Sequence, residues 1–119
     1  MASRLDATVE GVVLKGYLAA PKAGGRRGGV LVIHENRGLN PHIEDVTRRM
    51  ALEGFTVLGL DFLSPLGGTP GDPDAARALF PKLSTETVVA QGPAALKYLA
   101  SRPDANGKVG AVGFCLGGG

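Results

Sequence analysis

Two short runs without polar alternation constrain this chain more than any other feature: the continuous apolar Val30-Leu31-Val32-Ile33, and the buried-strand pattern Phe55-Thr56-Val57-Leu58-Gly59-Leu60-Asp61. A strand without polar alternation needs cover on both faces, and parallel sheets supply it by placing crossover helices above and below. The segment between the runs reads as such a helix. Asn40 can cap it, Pro41 suits the first helical position, Glu44 and Asp45 suit the positive helix start, and Ile43, Val46 and Met50 fall on one face. Gly54 closes it. Asp72-Pro73 opens a short helix carrying Ala76, Leu79 and Phe80, which Pro81 stops. A longer helix is predicted from Thr85 to Ser101, with Val88, Val89, Ala95, Leu96 and Leu99 inward and a kink at Gly92-Pro93. Asn106-Gly107 supplies a turn into a third strand, Lys108 to Phe114. Strands alternating with helices predict an α/β fold with a mostly parallel sheet flanked by helices on both faces.

The amino-terminal twenty residues alternate differently. Ala7 to Glu10 and Val12 to Ala19, broken at Gly11, predict an antiparallel entry hairpin. Pro21 to Gly29 reads as an exposed connection, and Ser64 to Gly71, rich in Pro and Gly, as a loop over the strand ends where pockets form. With 119 residues, the chain has room for one small domain. A net charge of +2 with scattered basic residues argues against a nucleic-acid partner. No run approaches the roughly 18 apolar residues of a membrane span, and the start lacks a signal-peptide core, so the cytoplasm and no membrane partner are expected. One cysteine and two histidines offer no convincing metal spacing, so the expected chemistry uses no cofactor.

The candidate chemistry lies in Gly113-Phe114-Cys115-Leu116-Gly117-Gly118-Gly119. A strand that ends in a small-x-nucleophile-x-small turn exposes the central side chain, and its glycines let neighbouring backbone pass close. Cys115 is therefore the candidate nucleophile, against the alternatives of a small buried hydrophobe or a redox-sensing thiol. Phosphate-loop patterns fail: Arg102, not Gly, stands five residues before Gly107-Lys108, and no complete G-x-G-x-x-G opens a helix.

These features occur together with His34-Glu35-Asn36-Arg37-Gly38-Leu39-Asn40 after the first apolar run, Leu52-Glu53-Gly54-Phe55 before the second, and Asn106-Gly107-Lys108-Val109-Gly110 before the elbow. On these residues the sequence resembles the dienelactone hydrolase family of the α/β-hydrolase superfamily, over essentially the whole chain. The resemblance implies an α/β-hydrolase fold, with residues 1–119 as the amino-terminal part of a single domain truncated after the nucleophile elbow. It implies hydrolysis of small-molecule carboxylic esters or lactones through a Cys-Asp-His triad and a thioester acyl-enzyme, with Cys115 as nucleophile and the matching Asp and His beyond Gly119. Leu116 and Asn36 would supply the backbone N–H donors of the oxyanion hole.

Glu35 matches a family position whose carboxylate contacts the resting thiol; an ion pair with Arg37 is the alternative. Of the remaining candidates, His34 is expected to shape its loop and Asp61 to cap one, because the superfamily places the triad acid after the nucleophile. Arg77 is a weak candidate for binding a substrate carboxylate, since a surface arginine is the ordinary case. A second functional reading treats the chain as a catalytically incomplete piece that acts by assembly, self-associating through an unpaired sheet edge.

Overall fold

The structure, a computed structural model, describes residues 2–21 and 25–113. Strands β1 (Ala2–Val9) and β2 (Val12–Ala19) form the entry hairpin, with Val9 opposite Val12. Glu10 and Gly11 make its turn with φ of 50° and 82°. Two consecutive left-handed residues match the twist of a two-residue hairpin, and glycine supplies the second at no steric cost. The hairpin's first strand starts at Ala2, ahead of the predicted Ala7, because its alternation is masked by small and charged residues.

Strands β3 (Arg27–Ile33), β4 (Thr56–Leu60) and β5 (Ala105–Gly113) complete a mixed sheet in the order β1-β2-β4-β3-β5. The ladders β1–β2 and β2–β4 are antiparallel, and β4–β3 and β3–β5 are parallel. The chain steps from β3 to β4 in one direction and returns past β3 to β5 in the other. Right-handed crossovers of opposite direction put their helices on opposite faces, and α1 (Pro41–Leu52) and α3 (Thr85–Ser101) occupy them.

Side chains along each central strand divide between the two faces. Leu31, Leu58 and Leu60 join Leu14, Phe62, Ala94, Ala95 and Leu99 under α3. Val32 and Val57 join Ala19, Leu39, Ile43 and Ala51 under α1. All five residues of β4 are buried, which is why that run carries no charged position and Thr56 is its one polar side chain. Burial of such side chains contributes about 1.5–3 kcal/mol each.

Helix α1 begins as predicted, with Asn40 Oδ1 accepting the Ile43 N–H at 3.0 Å and Pro41 in the first turn. Its buried stripe is Ile43, Thr47 and Ala51, with Val46 and Met50 flanking it half-buried. Thr47 reaches the centre because Gly59 leaves room: a Cβ there would lie 2.7 Å from Thr47 Oγ1. The hydroxyl is satisfied by the Ile43 carbonyl at 2.8 Å.

Helix α3 spans the predicted range and departs from expectation at one point. Val89 is 63% exposed rather than inward, because the buried stripe runs through Gln91, Ala94, Ala95 and Leu99 and turns Val89 to solvent. As predicted, the helix includes Pro93. The carbonyl that loses its partner belongs to Val89, four residues back on the exposed face, where water can satisfy it. Before α3, α2 (Pro73–Leu79) gives way to a 3₁₀ turn at Phe80–Lys82 that contains Pro81.

The Asn106-Gly107 turn is absorbed within β5. Gly107 has φ of 85°, Asn106 Oδ1 accepts the Lys108 N–H at 2.9 Å, and the register jumps from Arg27↔Ala105 to Gly29↔Val109. Past this bulge the pairing runs without interruption to Ile33↔Gly113.

Two glycines in contrasting settings test the packing. A Cβ on Gly16 would lie 2.3 Å from the Gly59 carbonyl oxygen, so Gly16→Ala must displace β4 and should destabilise by about 1–3 kcal/mol. Gly92 in α3 has nothing within 4 Å of such a Cβ, so Gly92→Ala should stabilise by about 0.5–1 kcal/mol. Urea midpoints of the two variants should move in opposite directions.

Candidate functional site

The parallel strands β3, β4 and β5 end at one edge of the sheet, so the segments that follow them gather there. Because Ile33 pairs with Gly113, the chain leaves β5 level with the point where β3 becomes the 34–40 loop. Cys115 and Leu116 lie outside the described residues. In the chain, Cys115 is two residues beyond Gly113, as Glu35 is two beyond Ile33.

His34 is fully buried, and both its ring nitrogens are used. Nε2 lies 3.0 Å from the Phe62 N–H and accepts it, so Nδ1 carries the proton and donates it to the Glu35 carbonyl at 2.7 Å. The ring also meets Phe62 edge-on, with centroids 5.4 Å apart. This imidazole has no nitrogen left for a substrate proton. It joins the end of β3 to the residues after β4, in the loop-shaping part expected of it.

Asp61 has a comparable task. Its Oδ1 accepts the Leu63 N–H at 3.0 Å and the Thr69 hydroxyl at 2.8 Å, and Oδ2 accepts the Thr69 N–H at 2.9 Å. It therefore caps the 61–69 loop. Thr69, which the sequence reading did not single out, then accepts the Leu39 N–H on Oγ1 at 2.9 Å. The signal available was its place in Gly67-Gly68-Thr69-Pro70, a loop tip eight residues past a strand-ending aspartate.

Glu35 and Asn36 are half-buried beside this network. The Gly38 N–H donates to the Glu35 carbonyl at 3.1 Å, so Glu35 to Gly38 form a β-turn with Asn36 and Arg37 at its centre. Among the described residues, nothing accepts from the Asn36 N–H, and Glu35 forms no ion pair with exposed Arg37 or any other cation. Beside the turn is a cleft of about 380 Å³ lined by Arg37, Leu39, Asn40, Thr69 and Pro70, among others. Arg77 does not line it. Its guanidinium pairs with the Asp74 carboxylate one turn back on α2, with both side chains largely exposed.

A roomier cleft of about 530 Å³ lies between the hairpin and α3, lined in part by Val12, Lys15, Ser64, Thr87 and Gln91. Among the described residues, no histidine lines it. Among the described residues, no group of three or more His, Cys, Asp or Glu could hold a metal ion, and no helix is long and apolar enough to cross a membrane.

Burial, the largest effect on His34, pushes its pKa below the ordinary value, against smaller raising effects from the Glu35 carbonyl and Asp61. The unfolded chain therefore takes up a proton near pH 6.5 that the folded chain refuses. Stability should be complete above about pH 6.5 and fall as pH drops from there towards the depressed native value. Urea midpoints measured between pH 7.5 and 5 should decline, and His34→Gln should flatten that decline.

Residues 14–119 match the model of the dienelactone hydrolase family. Escherichia coli (strain K12) has a protein described as a hydrolase fragment, YghX, that is 52% identical over 67 residues, 56% of this chain and 57% of that protein. The carboxymethylenebutenolidase of Pseudomonas sp. (strain P51) is 39% identical over 103 residues, 81% of this chain and 43% of that enzyme. Among solved structures, a dienelactone hydrolase-like promiscuous phosphotriesterase, P91, from metagenomic libraries superimposes with a TM-score of 0.78 at 29% identity, covering 98% of this chain and 49% of that one. The chain spans about half the length of the curated relatives it matches. By sequence and by fold, this chain belongs to the dienelactone hydrolase family.

Proposed function

We propose that residues 1–119 form the amino-terminal part of a single cytoplasmic α/β-hydrolase domain that cleaves small-molecule carboxylic esters or lactones, with Cys115 as nucleophile. The observation that supports this reading is the Ile33↔Gly113 pairing, which ends the described part of β5 level with the start of the loop carrying Glu35 and Asn36, whose N–H has no acceptor among the described residues. The Cys115 thiolate attacks the acyl carbon, and the oxyanion that forms takes hydrogen bonds from the backbone N–H groups of Asn36 and Leu116. Collapse expels the alkoxide and leaves a thioester, which water resolves. His34 and Asp61 are committed to the loops, so neither serves as base or orienting acid. Superfamily order puts both partners after the nucleophile, within the half of the relatives that this chain does not span. Arg77 contributes to substrate binding only if it leaves Asp74.

Glu35 is proposed to tune the thiol. A carboxylate next to Cys115 disfavours the thiolate, so Glu35→Gln should shift the pH profile of Cys115 alkylation to lower pH. An unchanged profile would remove Glu35 from the site. For the reaction itself, p-nitrophenyl acetate is the probe. The 119-residue chain should acylate once at Cys115 with little turnover, whereas a longer product of the same gene should turn over, and Cys115→Ala should abolish both. Turnover that survives Cys115→Ala would overturn the reading.

A second reading, assembly through the sheet edge, is favoured by β5, where residues 106–111 are exposed and Val109 is 40% accessible. Unpaired strand edges recruit other strands. Sedimentation of the 119-residue chain should show concentration-dependent association, and a monomer at all concentrations would count against it.

A further inference from the structure

We infer that Thr69 is a positioning residue for the oxyanion hole, holding the Glu35–Gly38 turn so that the Asn36 N–H keeps its direction. The inference rests on the proposed acyl chemistry at Cys115. The turn is gripped at both ends. At its start the Glu35 carbonyl accepts from His34 Nδ1 at 2.7 Å and from the Gly38 N–H at 3.1 Å. At its end Thr69 Oγ1 accepts the Leu39 N–H at 2.9 Å and passes its own proton to Asp61 Oδ1 at 2.8 Å. The same side chain fills the space above Gly38: a Cβ there would lie 2.4 Å from Thr69 Oγ1 and 2.8 Å from Cγ2, and Gly38 has φ of 77°. Only glycine at 38 lets the hydroxyl come close enough to bond the next amide. Asn36 follows the first residue of this turn, and its N–H is left without an acceptor among the described residues. An oxyanion donor must be aimed before charge develops, so a loosened turn costs rate even though the donor atom remains.

The test compares two reactions of the one cysteine. With p-nitrophenyl acetate, the thiolate adds to the carbonyl carbon and the C=O electron pair moves to oxygen. Collapse breaks the ester C–O bond and releases p-nitrophenolate, while the thiol proton goes to solvent. With iodoacetamide, the thiolate displaces iodide at a saturated carbon and no oxyanion forms. The ratio of acylation to alkylation rates, referred to the same ratio for N-acetylcysteine, therefore reads the oxyanion hole and cancels thiol acidity and access.

In the 119-residue chain, Thr69→Val should lower this ratio about tenfold, a fraction of the 10²–10³ lost when a donor is removed outright. Thr69→Ser should retain it. If Thr69→Val does not fold, Asp61→Asn, which weakens the grip on the Thr69 N–H and hydroxyl, is read by the same ratio and should lower it too. A wild-type ratio above the free thiol that neither Thr69→Val nor Asp61→Asn changes would overturn the inference alone. A wild-type ratio no better than the free thiol would overturn the acyl-transfer reading, and the inference with it.

Discussion

A buried neutral imidazole holds the carboxyl edge of this sheet together. His34 receives a backbone proton from Phe62 on one nitrogen and donates to the Glu35 carbonyl from the other, so the segments that end β3 and β4 are fixed to one ring. Each such bond contributes only about 0.5–1.5 kcal/mol net, but either partner left bare in this interior would cost its full desolvation. That asymmetry makes the geometry specific. It also fixes the tautomer, because a protonated Nε2 could not accept from Phe62.

The edge can be built this way because the crossovers diverge. α1 lies on one face and α3 on the other, so the 34–40 and 61–69 loops meet above the strand ends with no helix between them. Close packing supports the meeting: Gly59 admits Thr47 from α1, and a Cβ on Gly29 would lie 3.0 Å from Leu99 Cβ of α3. The loops therefore stand on a rigid base, while β5 on the outer flank stays open to solvent along residues 106–111.

Much of this was legible in the residues. Val30 to Ile33 and Thr56 to Leu60 declared doubly covered strands through their lack of charge and of polar alternation, and Asn40-Pro41 marked the start of a helix by capping chemistry alone. What periodicity could not resolve was phase. Val89 is as apolar as Val88, and only the packing of Gln91, Ala95 and Leu99 against the sheet decides which of the two faces inward. Pro93 is tolerated inside α3 because the cost of a lost helical bond depends on whether the orphaned carbonyl faces water. The family motif singled out Glu35 and Asn36, and both lie in the turn that follows β3. Thr69 was not, because its part depends on a contact with Leu39, thirty residues earlier, that no local pattern announces.

The division of labour among the polar groups narrows the chemistry. An imidazole and a carboxylate at the strand ends look at first like two members of a triad, but each already spends its acceptors and donors on backbone. A histidine with both nitrogens bonded cannot move a proton without breaking its loop, and an aspartate holding two backbone amides and a hydroxyl has no free lone pair aimed at an imidazole. These residues act through shape, by holding the loops on either side of Asn36. In the proposed acyl transfer, the proton therefore moves through groups other than His34 and Asp61.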